Sequence, residues 1–229
     1  MALIENAKGR RINQSPSGYT RLFGISSLGN LMSRIQGTVI SSGTELEKLI
    51  WERVQQIIDL DDFISTALNR PMVGIWVARK QQIKNSKSIR SKYEPDFLAF
   101  NPNNRICYVV ELKDGDQFDT KKSSGEYSAL HNFNNDISQA IPFSTHIYIC
   151  SFNSTTKKEV YDGFKHKFPI EETLTGQELC NLLDINYDDI IKYRTNNQQT
   201  NLEYFIKELL KINIIKDIII SYLQKLEEK

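Results

Sequence analysis

The sequence is poor in most of what would place a protein in a specialised class. Its 229 residues hold three cysteines, Cys107, Cys150 and Cys180. There is no Cys-x-x-Cys pair and no Cys/His cluster at zinc spacing, which excludes a disulfide scaffold and a structural zinc site. Cys107 and Cys150 stand in apolar, strand-like runs and read as buried thiols; an odd number of scattered cysteines suits a reducing cytoplasm. No apolar stretch approaches the roughly 20 residues that span a bilayer. The first residues carry no apolar leader, so no secretory signal is expected. Internal repeats, low-complexity tracts and a glycine-rich phosphate loop are all absent. Lys and Arg number 29 against 28 Asp and Glu, a formal net charge of +1. Overall charge therefore favours no polyanionic partner, and any such case must come from how the charges are distributed.

What is present is an α/β pattern. Thr44 followed by Glu47 has capping-box spacing and predicts a helix that carries Leu46, Leu49, Ile50, Val54, Ile57 and Ile58 at helical intervals; a shorter helix is expected over 27–36. Residues 73–79, 96–100, 106–113 and 146–152 are short runs rich in β-branched and aromatic residues, the composition of strands. Asn101-Pro102-Asn103-Asn104 is turn chemistry, so the second and third runs should form an antiparallel hairpin. A helix from Gly125 to Ile141 is long enough to bring the fourth strand in parallel to the third. Residues 154–229 read as mostly helical.

The chemistry is concentrated at one end of that hairpin. Pro95-Asp96 opens one strand and Glu111-Leu112-Lys113 closes the next. Side chains alternate along a strand, so Glu111 and Lys113 share a face with Cys107 and Val109. The rest of the strand is apolar on both faces, and charges at its end cost stability unless they are paired or bind something. Asp96 can stand across the hairpin beside Glu111. Two carboxylates held close repel each other unless a cation lies between them, and an oxygen-rich site of this kind suits Mg²⁺.

Pro95-Asp96, fourteen intervening residues, then Glu111-Leu112-Lys113 resembles the motif of the PD-(D/E)xK nuclease superfamily, which includes most type II restriction endonucleases. The resemblance covers roughly residues 44–152. It implies a restriction-endonuclease-like core: a mixed sheet of four or more strands flanked by helices, here with a mostly helical C-terminal part. It also implies that Asp96, Glu111 and the main-chain carbonyl of Leu112 hold Mg²⁺ while Lys113 activates water or stabilises the phosphate. Members often add a carboxylate from the preceding helix, for which Glu47 is favoured over Glu45. The implied activity is hydrolysis of double-stranded DNA at a short, palindromic site, leaving 5′-phosphates. A homodimer is expected, with a cognate DNA methyltransferase encoded in the same genome. The alternatives are a repair nuclease or resolvase of the same superfamily, and an inert DNA-binding protein.

Residues 70–93 hold seven basic and no acidic residues. Of these, Arg79, Lys80, Lys84, Lys87, Arg90 and Lys92 are candidate DNA contacts, as are Arg10, Arg11 and Lys122; Gln139 is a candidate support for the site. The Asp114, Asp116 and Asp119 series lacks the closing glutamate of a calcium loop. The expected division is a basic DNA-contacting segment over 1–43, a catalytic core over 44–152, and a helical region over 153–229 that packs on the core or dimerises.

Overall fold

The computed structural model describes residues 1–9 and 15–227, so Arg10 and Arg11 lie outside the described residues. In chain order the elements are α1 (Gly18–Phe23), α2 (Ser26–Trp51), β1 (Gln55–Gln56), α3 (Leu60–Asn69), β2 (Trp76–Arg79), α4 (Lys80–Asn85), β3 (Phe97–Asn101) and β4 (Ile106–Lys113). Then follow α5 (Thr120–Ala140), β5 (Ser144–Ser151), α6 (Lys157–Gly163), β6 (Thr173–Thr175), α7 (Gly176–Leu182), α8 (Tyr187–Leu210) and α9 (Asn213–Glu227). Two compact units result: residues 46–190, and residues 1–45 together with 191–229. The division expected from sequence, after residues 43 and 152, differs from this one. Residues 153–190 fall with the sheet, because they contribute β6 and the buried side chains Val160, Phe164, Phe168 and Leu179.

Residues 46–190 form a six-stranded mixed sheet in the order β1-β2-β3-β4-β5-β6. The β3–β4 hairpin forms as expected, with Phe97 paired to Val110 at its open end, and Arg105 takes positive φ in the tight turn. β5 runs parallel to β4. The crossover helix between them starts five residues earlier than its periodicity suggests, because the Asp119 side chain caps it by accepting from Lys122 N at 2.8 Å. One sheet face, with Leu98, Phe100, Cys107, Val109, Ile147 and Ile149, packs in a single apolar cluster with Leu130, Phe133 and Ile137 of α5. The three cysteines are free and buried.

Two helix expectations are corrected. The two helices over 27–36 and after Thr44 are one, α2. The serines and threonines that read as breaks bond back into the helix: Thr38 Oγ1 donates to Arg34 O at 2.9 Å and Ser42 Oγ to Thr38 O at 3.0 Å. Thr44 is therefore interior and caps nothing. The helix also stops at Trp51. Ile57 N instead donates to Val77 O at 2.8 Å, extending the β1–β2 pairing, and Ile58 is exposed. The first predicted strand is shorter than 73–79, because Gly74 turns the chain with φ near +87°.

In the other unit, Arg34 bonds the carbonyls of Ile4, Glu5 and Ala7 at 2.9–3.0 Å and lies over the Tyr204 ring. Its charge is thus spent on tying down residues 4–7. None of the residues of α9 is buried, and Ile214, Ile218, Tyr222, Leu223 and Leu226 are exposed. Among the described residues no helix is long and apolar enough to cross a membrane.

Candidate active site

The hairpin places Asp96 one residue before β3 and Glu111 one residue past the last paired position of β4. By strand alternation Asp96, Glu111 and Lys113 rise from the face that carries Leu98, Phe100, Cys107 and Val109. They stand where the apolar surface ends, and Asp96 and Glu111 are both buried. Asp96 Oδ2 accepts from Leu112 N at 2.7 Å, and its Oδ1 pairs with the Lys80 ammonium. In an extended strand a residue's N–H and C=O point to the same side. The Leu112 carbonyl therefore faces Asp96 beyond the end of β3, while the carbonyl of Lys113 is taken on the other side by Phe152 N at 2.9 Å.

Glu111 Oε1 accepts from Lys113 Nζ at 2.5 Å; its Oε2 is buried with no well-formed hydrogen bond, and the Tyr93 hydroxyl stands near enough to the carboxylate to help stabilise its charge. Lys113 Nζ also pairs with Glu126 Oε1 at 2.8 Å, and the Tyr93 hydroxyl donates to Glu126 Oε2 at 3.3 Å. Burial pushes the Glu111 carboxyl up and Asp96 pushes it further; Lys113 and the Tyr93 hydroxyl only partly oppose them, and the result is about 7. Burial alone would lower the Lys113 ammonium, but Glu111 and Glu126 outweigh it and hold the group above its ordinary value. Lys80 follows the same logic, with Asp96 the dominant partner. Glu47 is raised by burial and by Asp96 against the pull of Lys80 and Lys113, so its carboxylate stands within the electrostatic reach of the cluster. Glu45 pairs instead with the Met1 amino group at 3.0 Å. Among the described residues no group of three or more His, Cys, Asp or Glu stands together as a preformed metal cage; lysine ammoniums balance the carboxylates here.

The other candidates scatter. Lys84, Arg90 and Lys92 line a cavity of about 920 Å³, with Asn132 and Asp136 of α5 on its wall. Arg79 lies over the Trp51 ring at 4.7 Å, and Lys122 over Phe118 at 5.2 Å. Gln139 sits thirteen residues along α5 from Glu126, about 20 Å at helical rise, and is not brought to the cluster. Lys87 is held through its backbone: Asp61 accepts from Ser86 Oγ at 2.6 Å and from Lys87 N at 2.7 Å. Burial would push the Asp61 carboxyl up slightly, yet these bonds dominate and hold it down at about 2. Asp61→Ala removes this brace, and trypsin is expected to cut after Lys84 and Lys87 several-fold faster. Unchanged digestion would show that the segment holds itself.

Three parts of the cluster were missed from sequence: Glu126, Tyr93 and the pairing of Lys80 with Asp96. Glu126 had a legible signal. The buried positions of α5 are Ser123, Leu130, Phe133 and Ile137, and Glu126 falls on the same stripe at helical spacing, a charge in register with apolar positions.

No protein-family profile and no solved structure matches the chain. A curated relative does: the type II restriction enzyme HhaII of Haemophilus parahaemolyticus is 44% identical over 223 residues, 95% of this chain and 97% of that protein. The chain belongs to the type II restriction enzymes. In this restriction enzyme the aligned span runs through both compact units, since 95% of the chain cannot be confined to residues 46–190.

Proposed function

We propose that this restriction enzyme is a PD-(D/E)xK nuclease with the restriction-endonuclease-like fold, and that it hydrolyses double-stranded DNA at a short palindromic site, leaving 5′-phosphate ends. The observation that carries the proposal is the pair of buried carboxylates, Asp96 and Glu111, at neighbouring strand ends with Lys113 on the same face. The donors fit Mg²⁺: no well-formed hydrogen bond satisfies the buried Glu111 Oε2, and hard carboxylate and carbonyl oxygens are what this ion takes. Asp96, Glu111 and the Leu112 carbonyl would hold it, with Glu47 as the added carboxylate. When bound, Mg²⁺ polarises the scissile phosphate and acidifies a coordinated water. Lys113, kept cationic by its acidic neighbours, would orient the attacking water or offset the charge growing on the phosphate.

Lys84, Arg90 and Lys92 supply the cationic wall along which the duplex lies, with Lys87, Arg79, Lys122 and the Arg10–Arg11 segment as further contacts. Removing a cation that neutralises one phosphate lowers the salt dependence of binding by about 0.9 in log–log slope. Arg90→Ala with Lys92→Ala is therefore expected to reduce that slope by about 2; an unchanged slope would remove both from the interface. The exposed apolar face of α9 is the surface proposed for a homodimer, whose two-fold axis matches a palindrome. A cognate methyltransferase, acting separately, would protect the host site.

Plasmid digestion tests the reading. Discrete fragments with 5′-phosphates are expected in Mg²⁺ and none in EDTA. Cutting confined to branched DNA would contradict it in favour of a resolvase.

A further inference from the structure

Glu126 lies outside the motif yet touches its lysine. Its side chain comes from the helix that crosses over the sheet face bearing Glu111 and Lys113. One oxygen pairs with Lys113 Nζ at 2.8 Å and the other accepts from Tyr93 at 3.3 Å. Tyr93 precedes Pro95-Asp96 by two residues, so the carboxylate joins the crossover helix, the catalytic lysine and the approach to β3. Glu111 is both the other partner of Lys113 and a proposed holder of Mg²⁺. A cation held at Glu111 Oε2 would draw on the same carboxylate charge and repel the neighbouring ammonium, which weakens Oε1 as the anchor of Lys113.

We propose that Glu126 is the positioning residue for Lys113, holding its ammonium over the reacting phosphate once Glu111 is engaged, with Tyr93 fixing the Glu126 carboxylate. The proposal rests on the active-site reading above. An unanchored lysine on a flexible four-carbon stem loses its aim, and a misplacement of about 1 Å can cost on the order of 100-fold.

Two measurements test it. In single-turnover cleavage, Glu126→Ala and the isosteric Glu126→Gln are expected to cut roughly 10- to 100-fold slower with DNA affinity unchanged, and Glu126→Ala to add no further loss in a Lys113→Ala background. In EDTA, with Glu111→Gln removing the other negative charge beside Lys113, acetylation of Lys113 read by mass spectrometry is expected to rise several-fold when Glu126→Gln is added. Wild-type rates in both Glu126 variants, a loss that multiplies with Lys113→Ala, or unchanged acetylation would each overturn the role of Glu126. A Lys113→Ala enzyme that cuts like wild type would instead sink the active-site reading itself.

Discussion

Glu111→Gln is expected to lose cleavage by on the order of 1,000-fold or more while melting no lower than wild type in EDTA at pH 8. Both halves follow from the same geometry. The carboxylate is buried beside a second buried carboxylate, and one of its oxygens has no well-formed hydrogen bond. Its ionisation is costly in the folded protein, which is why its pKa rises to about 7 from 4.5. A carboxyl raised in the folded state binds its proton more tightly there than when unfolded. Its stabilising contribution is thus full below about 4.5 and is lost as pH rises through 4.5 to about 7. At pH 8 the wild type carries the cost of the buried charge and the glutamine variant does not, while the amide oxygen still accepts from Lys113. The melting difference between variant and wild type, read by differential scanning at pH 5 and pH 8, should shift in the variant's favour at the higher pH. A variant that destabilises more at pH 8 than at pH 5 would make Glu111 a structural anchor instead of a site under functional strain.

Gly163→Ala is expected to lower the melting temperature by several degrees, about 1–3 kcal/mol of overpacking. A Cβ on Gly163 would lie 2.1 Å from the carbonyl oxygen of Asp116, which is backbone and cannot swing away. The close approach exists because Gly163 O accepts from Phe118 N at 3.1 Å while Phe118 stacks on Phe164 with centroids 4.3 Å apart. The segment leaving β4 is fastened again where Ser151 Oγ donates to Gly115 O at 2.9 Å. These fastenings hold the residues that immediately follow Lys113, so cleavage should fall with stability. Wild-type melting would show that the 114–118 segment yields freely. The polar run from Asp114 to Asp119 thus serves local structure: Asn153 Nδ2 reaches Asp114 Oδ1 at 3.0 Å, and Asp119 caps α5.

The parts of the fold legible in the sequence are those written in local pattern. The apolar runs of β3, β4 and β5, the Asn-Pro turn and the parallel return were readable because a strand's period and a turn's chemistry are local. So was the shared face of Glu111 and Lys113, which needs only alternation. β1 and β6 were not, since strands of two and three residues show no period. The continuity of α2 was hidden because Ser and Thr signal either a cap or a helix-bonded interior position, and only the geometry decides. Lys80 read as one more cation in a basic run, because its pairing with Asp96 spans sixteen residues and depends on the β2–β3 register. Glu126 could have been found by writing out the stripe of α5 and asking why a charge stood in it.

Single-turnover cleavage by Asp96→Asn, at matched amounts of bound DNA, bears most directly on the claim that these residues form one phosphodiester-hydrolysing centre. Asparagine keeps an oxygen to accept from Leu112 N, which Asp96 Oδ2 now does at 2.7 Å, so the hairpin should stay intact. The account predicts DNA binding near wild type and cleavage reduced by on the order of 1,000-fold in Mg²⁺. Cleavage within about threefold of wild type, less than 1 kcal/mol of barrier, would contradict it and place the catalytic centre elsewhere in the chain.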